Sequence, residues 1–304
     1  MNPLFKIIGR NKLLQYSKAP LKHQPIFIIG APRTGSTILY QIITNQLNVL
    51  YFNNLICRIY HNTFLGFWMS KLIFKGSAHN CFKSIYGNTS KCGMIAPSEC
   101  GQFWYKWLPT DKHYIDNADI SEEMIDQIRD EITGLINYFD RPIVFKNLNA
   151  GQRLKLIKMC FPDAKLIFIK RNPLHTAQSI LKAKRKLGIP EGTFWGIMPK
   201  NVSELKKLGA YEQIVKQIYY IEKQIVQDIQ QFDSSNILIM KYTDLNYPYH
   251  EMIDSCRIFI KAEERESYHF ADIEISSTIH LEEDEIKKIN VQIQKMDWLT
   301  YNNK

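Results

Sequence analysis

Near the start of the chain, glycine and hydroxyl residues stand at a spacing that handles anions. Residues 25–37 read Pro-Ile-Phe-Ile-Ile-Gly-Ala-Pro-Arg-Thr-Gly-Ser-Thr. An apolar, β-branched run ends in Gly30, a short polar loop follows, and a helix-forming stretch begins. In a strand–turn–helix unit the backbone N–H groups of Arg33, Thr34, Gly35, Ser36 and Thr37 converge on one anion at the helix N-terminus. The spacing matches the phosphate-cradling pattern Gly-x-x-x-x-Gly-Lys-[Ser/Thr], except that Ser36 stands in the lysine position. A cradle without the lysine that reaches a γ-phosphate suits a phosphorylated nucleotide other than ATP or GTP.

A second anion-binding constellation lies far along the chain. The apolar run 165–170 ends at Arg171-Asn-Pro, where Pro173 suits the first turn of a helix and Ser179 falls about two turns in. The guanidinium fork of Arg171 donates two parallel charge-assisted hydrogen bonds to a fixed phosphate. Taken alone, Arg-Asn-Pro is equally the cap or ion pair that ends many strands. The pairing with the first loop gives it weight.

Both constellations need a parallel sheet to bring them together. The runs 26–30, 142–146, 165–171 and 236–242 are rich in Ile, Val, Leu and Phe without alternation, as in parallel strands covered on both faces. A fifth is expected at 49–52. Helical spacing separates them, over 37–47, 122–139, 152–161, 174–187 and 210–232, and two more helices at 248–260 and 282–296 close the chain. The expected architecture is α/β: a three-layer, P-loop-like fold with one central, mostly parallel sheet flanked by helices, in a single domain over 1–304. Residues 1–24 read as a basic extension that caps the domain, the alternative being weak association with a membrane surface. Residues 53–112, with Trp68, Trp104, Tyr105 and Trp107, and residues 187–207, with Trp195, break the alternation. They read as acceptor-side insertions beyond the carboxyl ends of the strands, the alternative being additional core and loops.

Composition narrows the partners. The net charge is +9 over 304 residues, which suits an anionic ligand. The basic residues are dispersed apart from 182–186, without the aromatic-interleaved stripe of a nucleic-acid binder. No apolar run reaches the roughly 18–20 residues that span a bilayer. The six cysteines (Cys57, Cys81, Cys92, Cys100, Cys160 and Cys256) form no C-x-x-C pair. Reduced thiols in a cytoplasmic protein without structural zinc are therefore expected, with Cys92 and Cys100 as a pair that could close.

Together the two constellations resemble the sulfotransferases that use 3′-phosphoadenosine-5′-phosphosulfate (PAPS). Pro32-Arg33-Thr34-Gly35-Ser36-Thr37 looks like that family's first motif, and Arg171 with Ser179 looks like its second. Residues 161–169 and 241–245 are also similar, so the resemblance covers about 25–260. It implies that the loop Arg33–Thr37 holds the 5′-phosphosulfate and that Arg171 and Ser179 hold the 3′-phosphate. Arg33 stands where many relatives have lysine and, unlike lysine, cannot serve as an acid. Lys146 looks like a second family lysine beside the transferred group; otherwise it is a strand-end surface residue. The histidine base of small-phenol sulfotransferases is absent, its position being Leu148. Glu99, in an aromatic-rich loop, is the candidate base by analogy with carbohydrate sulfotransferases; otherwise it is a solvated carboxylate or a partner of Lys106. His113 and His175 read as structural. The implied acceptor is a glycan or glycolipid hydroxyl, or an amine, and no metal is expected. The competing readings are a P-loop kinase, which needs a lysine at Ser36 and an acid for Mg²⁺, and a non-catalytic protein that binds anionic glycans.

Overall fold

The computed structural model describes residues 3–269, 273, 275 and 278–298. Five strands, β1 (Ile26–Ile29), β2 (Leu50–Tyr51), β3 (Ile143–Lys146), β4 (Lys165–Lys170) and β5 (Ile237–Lys241), form one sheet in the order β2-β3-β1-β4-β5. Every neighbouring pair is parallel. The helices are α1 (Pro3–Ser17), α2 (Ser36–Gln46), α3 (Asn54–Arg58), α4 (Thr63–Phe74), α5 (Gly101–Trp104), α6 (Glu122–Phe139), α7 (Leu154–Cys160), α8 (Pro173–Lys186), α9 (Val202–Leu205), α10 (Ala210–Ile229), α11 (His250–Ile260) and α12 (Glu283–Gln294).

The unbroken apolar strands are sorted by their two-residue period. Ile26, Ile28, Val144 and Ile167 face a core shared with α2 and α11. Phe27, Ile29, Phe145 and Phe168 face a second core shared with α6, α7, α8 and α10. This is the expected three-layer arrangement, with β1 at its centre and all four β1 residues fully buried. Each such side chain contributes roughly 1.5–3 kcal/mol by leaving water. The edge strand β5 departs from the expectation of burial on both faces: Ile239, on the sheet's outer strand, is 49% exposed.

Two regions differ from the sequence reading. The stretch 152–161 divides into a 3-10 turn over Leu148–Gln152 and the shorter helix α7. Residues 53–112 contain α3, α4 and α5. The α4 sequence, Thr-Phe-Leu-Gly-Phe-Trp-Met-Ser-Lys-Leu-Ile-Phe, is apolar nearly all round and carries no amphipathic stripe to announce a helix.

The N-terminal extension caps the domain, as one sequence reading held. Helix α1 lies against α6 so closely that a Cβ on Gly134 would sit 2.5 Å from the Leu13 carbonyl. The buried Asn137 amide on α6 donates to the carbonyls of Tyr16, Ala19 and Pro20 and accepts from the Lys22 N–H. Among the described residues no helix is long and apolar enough to cross a membrane. Substituting Gly134→Val should push α1 away at a cost of about 1–3 kcal/mol. The expected readout is a lower melting temperature with new proteolytic nicking between residues 17 and 24. An unchanged melt would show that α1 is not docked this way.

Candidate active site

The central position of β1 puts its following loop at the carboxyl edge of the sheet, with the ends of β3 and β4 on either side, where parallel sheets hold ligands. Gly30 leaves the strand at φ 155, and a Cβ there would lie 2.6 Å from the Ile169 carbonyl. Arg33 sits in the left-handed region at φ 68, a conformation that costs a non-glycine residue energy and marks functional turns. The buried Thr34 hydroxyl donates to the Ala31 carbonyl (2.8 Å) and closes the loop. Gly35, at φ 90, begins α2 without a side-chain cap. The first-turn N–H groups of α2 therefore have no intrahelical or side-chain acceptor, the arrangement expected of an anion cradle.

The second constellation meets the first directly. Ile29 pairs with Phe168, so β1 and β4 end side by side, and Arg171 follows β4 directly at that edge. Asn172 accepts from the N–H groups of Leu174 and His175 and so starts α8, fixing the turn between Arg171 and Ser179. Arg171 Nη1 donates to the Arg33 carbonyl (3.1 Å), and Arg33 Nε donates to Ser179 Oγ (3.1 Å). Loss of hydration weakens the hold of Arg33 on its proton, with Arg171 adding to the effect and the Tyr86 ring opposing it. Burial acts likewise on Arg171, opposed by Tyr242. Tyr242 is a site residue the sequence did not reveal. Its ring lies 3.9 Å from the Arg171 guanidinium carbon and only 2.6 Å from where a Gly35 Cβ would be. Gly35 is thus required twice, for its φ and for this ring.

On the β3 side, Lys146 is 3% exposed and its ammonium forms an ion pair with Glu99. The sequence reading left Glu99 in aromatic surroundings or beside Lys106. Instead its partner is Lys146, whereas Lys106 pairs with Glu131. The third side of the site comes from residues 85–88, where Ile85 and Asn88 exchange backbone hydrogen bonds around Tyr86 and Gly87. Both tip residues have positive φ, as a two-residue hairpin turn requires. Tyr86 sets its ring 5.3 Å from the Arg33 guanidinium and edge-on to Trp195 at 6.3 Å. Gly87 lies against Glu99, whose Oε1 would be 2.4 Å from a Cβ there. The two insertions, 53–112 and 187–207, therefore meet above Arg33.

The base of this tip is tied by a disulfide between Cys81 and Cys92. That corrects the expectation of reduced thiols and of a Cys92–Cys100 pair: Cys100 lies buried as a free thiol. Not every aromatic of the insertion faces the site. Trp104 is buried in the core against Phe27 and Phe145, and Trp107 donates to Gln127. His113 accepts from the Met198 N–H (2.9 Å), and burial with help from Arg153 lowers its pKa to about 4. Burial, and after it Arg171, lowers the pKa of His175.

The family described as sulfotransferase matches residues 25–248. This chain belongs to the sulfotransferase family. Two solved structures show the same fold. Over 100% of this chain and 78% of the other, it superposes on sulfotransferase STF9 from Mycobacterium avium with a TM-score of 0.51 at 13% identity. Over 96% and 82%, it superposes on sulfotransferase STF1 from Mycobacterium tuberculosis H37Rv with a TM-score of 0.52 at 11% identity. No curated protein sequence matches significantly.

The loop carrying Tyr86 hangs on a buried histidine. His79 Nδ1 accepts from the Cys81 N–H (3.2 Å), so its Nε2 carries the proton and donates to Thr44 Oγ1 (3.0 Å), which in turn donates to the Tyr40 carbonyl. Burial, followed by Arg265 and His269, lowers the His79 pKa from 6.5 to about 3. A neutral folded histidine that protonates when released gives stability that is full above 6.5 and declines as pH falls from 6.5 toward 3. Proteolysis of residues 83–95 should accelerate across that window in the intact sulfotransferase, and His79→Gln should flatten the response. A slope unchanged in His79→Gln would assign the acid sensitivity to other groups.

Proposed function

We propose that this sulfotransferase takes its sulfuryl group from PAPS and delivers it to a hydroxyl, or an amine, of a glycan or glycolipid. The observation that carries the donor reading is the contact of Arg33 with both Arg171 and Ser179, which makes two distant anion-binding elements a single site. In this reading the N–H groups of Arg33, Thr34, Gly35, Ser36 and Thr37 hold the 5′-phosphosulfate, and Arg171 with Ser179 holds the 3′-phosphate. A fixed cation for a 3′-phosphate gives a physical reason to prefer this nucleotide over ATP.

The chemistry is an in-line displacement. The acceptor oxygen bonds to sulfur as the bond from sulfur to the 5′-phosphate oxygen breaks, and the acceptor proton passes to Glu99. The departing phosphate gains charge, which the loop N–H groups, Arg33 and Lys146 stabilise. The ion pair between Lys146 and Glu99 gives this sequence a logic. A bound phosphosulfate competes for the Lys146 ammonium and leaves the Glu99 carboxylate open to the acceptor. A glycan acceptor is supported by Tyr86 and Trp195, two rings from separate insertions suited to stacking on sugars.

In thermal-shift titration, 3′-phosphoadenosine-5′-phosphate should stabilise the protein strongly and ATP–Mg²⁺ weakly. The reverse order would sink the donor assignment and favour a kinase. Arg171→Ala should weaken nucleotide binding by roughly 1.5–3 kcal/mol, the value of a charge-assisted hydrogen bond. Glu99→Gln should keep nucleotide binding and lose turnover with labelled PAPS against a panel of glycans and phenols. Because that variant also leaves Lys146 without its carboxylate, its melting temperature must be followed in parallel. A well-folded variant with full turnover would place the base elsewhere.

A further inference from the structure

A second cationic cavity lies beside the edge strand β2, at the opposite side of the sheet from β5. It measures about 80 Å³, and among the described residues its walls include Lys71, Arg141 and Arg265 but no carboxylate. Ser70, Ser77 and Asn53 supply hydroxyl and amide groups to the same space. None of the three cations forms an ion pair among the described residues. Lys71, in the last turn of α4, has a local reason for its charge, since cations are favoured at helix C-termini. The arginines have no such reason. Arg141 precedes β3, and its charge, after burial, weakens proton binding by Arg265, so the two stand close enough to repel.

Arg265 is held in place by its backbone. Its N–H donates to the Gln46 carbonyl at the end of α2, and its Nη1 donates to the Gly76 carbonyl (2.8 Å). Its Nε is buried without a hydrogen-bond partner among the described residues. A buried guanidinium N–H left unpaired beside a second guanidinium is costly, and one anion relieves both costs. The cavity volume exceeds that of a single water site and accommodates one tetrahedral oxyanion. It is separate from the active site. Arg141 and Lys146 lie at the two ends of β3, five extended residues or roughly 16 Å apart.

We infer that the cavity between β2, α4 and Arg265 is an oxyanion site that takes one sulfate or phosphate group, either as the free ion or as a monoester. Arg141 and Arg265 grip the oxygens, and the hydroxyls of Ser70 and Ser77 fill the remaining acceptor positions. The inference does not depend on the donor proposed above.

The test uses the full chain with saturating 3′-phosphoadenosine-5′-phosphate, comparing sodium sulfate and sodium phosphate with sodium chloride at equal ionic strength by calorimetry and thermal shift. Sulfate or phosphate should raise the melting temperature beyond chloride and bind at one site. Arg141→Gln and Arg265→Gln should each lower that affinity by at least about tenfold, one lost charge-assisted contact. Without added anion, Arg141→Gln should melt no lower than the parent, because it removes a repulsion; a lower melting temperature would mark Arg141 as structural. Equal responses to chloride and sulfate, or full sulfate binding in both variants, would overturn the inference. Binding that survives in both variants but falls in Arg171→Ala would place the anion in the nucleotide cradle instead. Titration with a sugar 6-sulfate and a sugar 6-phosphate distinguishes the sources: tighter binding than the inorganic ions assigns the ester, and selective binding of inorganic ions assigns the free anion.

Discussion

At the mouth of the sheet two desolvated arginines face each other, and the rest of the site is arranged around their repulsion. Arg171 does not approach Arg33 through its charge but through its carbonyl, which Arg33 exposes by adopting φ 68. The strained backbone thereby turns a like-charge contact into a hydrogen bond. Rings take the remaining charge: Tyr86 stands against Arg33 and Tyr242 against Arg171, each offering the negative face of its π-system. Such a contact contributes roughly 0.5–2 kcal/mol. Binding energy and folding energy meet at this site, as expected where function requires local destabilisation.

The β3 side of the site is organised by a different constraint, the placement of one lysine. Lys146 is the terminal residue of a buried strand, level with Ile28 of β1, and its ammonium cannot reach bulk water. Glu99 neutralises it from a loop, and Gly87 must lack a side chain to let that carboxylate in. The Tyr86–Gly87 tip therefore touches both charges of the ion pair and the arginine of the cradle. The disulfide Cys81–Cys92 and the His79 hydrogen bonds hold the base of that tip against α2, the helix that starts in the cradle. Movement of the tip would be felt by donor and acceptor groups together. The same disulfide removes the argument from reduced cysteines for a cytoplasmic setting, since such bonds persist mainly in oxidising compartments.

Much of this was legible in the chain. Parallel strands buried on both faces announce themselves as unalternating apolar runs, and β1, β3 and β4 appeared with the expected ends. That Arg171 and Ser179 come to the loop between Gly30 and Gly35 could be read from their places on strand–turn–helix units. What escaped depends on contacts between residues distant in sequence. Nothing near Tyr242 shows that its ring fills the space above Gly35. Nothing near Cys81 selects Cys92 over Cys100. Trp104 and Tyr86 are both aromatic residues in one insertion, yet one is core and the other faces Arg33. Composition cannot separate them, because both burial and ligand stacking call for a large ring. The uniformly apolar α4 hid its helix for a different reason: its exposed positions include Trp68, Leu72 and Ile73, so no polar face sets a period.

The distribution of charge gives the net excess of cations a structural meaning. Many exposed basic residues are matched by nearby acids, such as Lys112 by Asp119 and Lys216 by Glu212. Such surface pairs contribute little to stability. The cations that shape the molecule are those enclosed where a carboxylate is absent or single: Arg33 at the cradle, Lys146 with Glu99, and the Arg141–Arg265 pair beside β2. Full burial makes Lys146 more expensive than a surface lysine, and the partly buried arginines share that cost in smaller measure. Arg141 and Lys146 lie toward opposite ends of β3, roughly 16 Å apart along the backbone, so the carboxylate of Glu99 serves Lys146 and the cavity walls at Arg141 and Arg265 hold no carboxylate among the described residues.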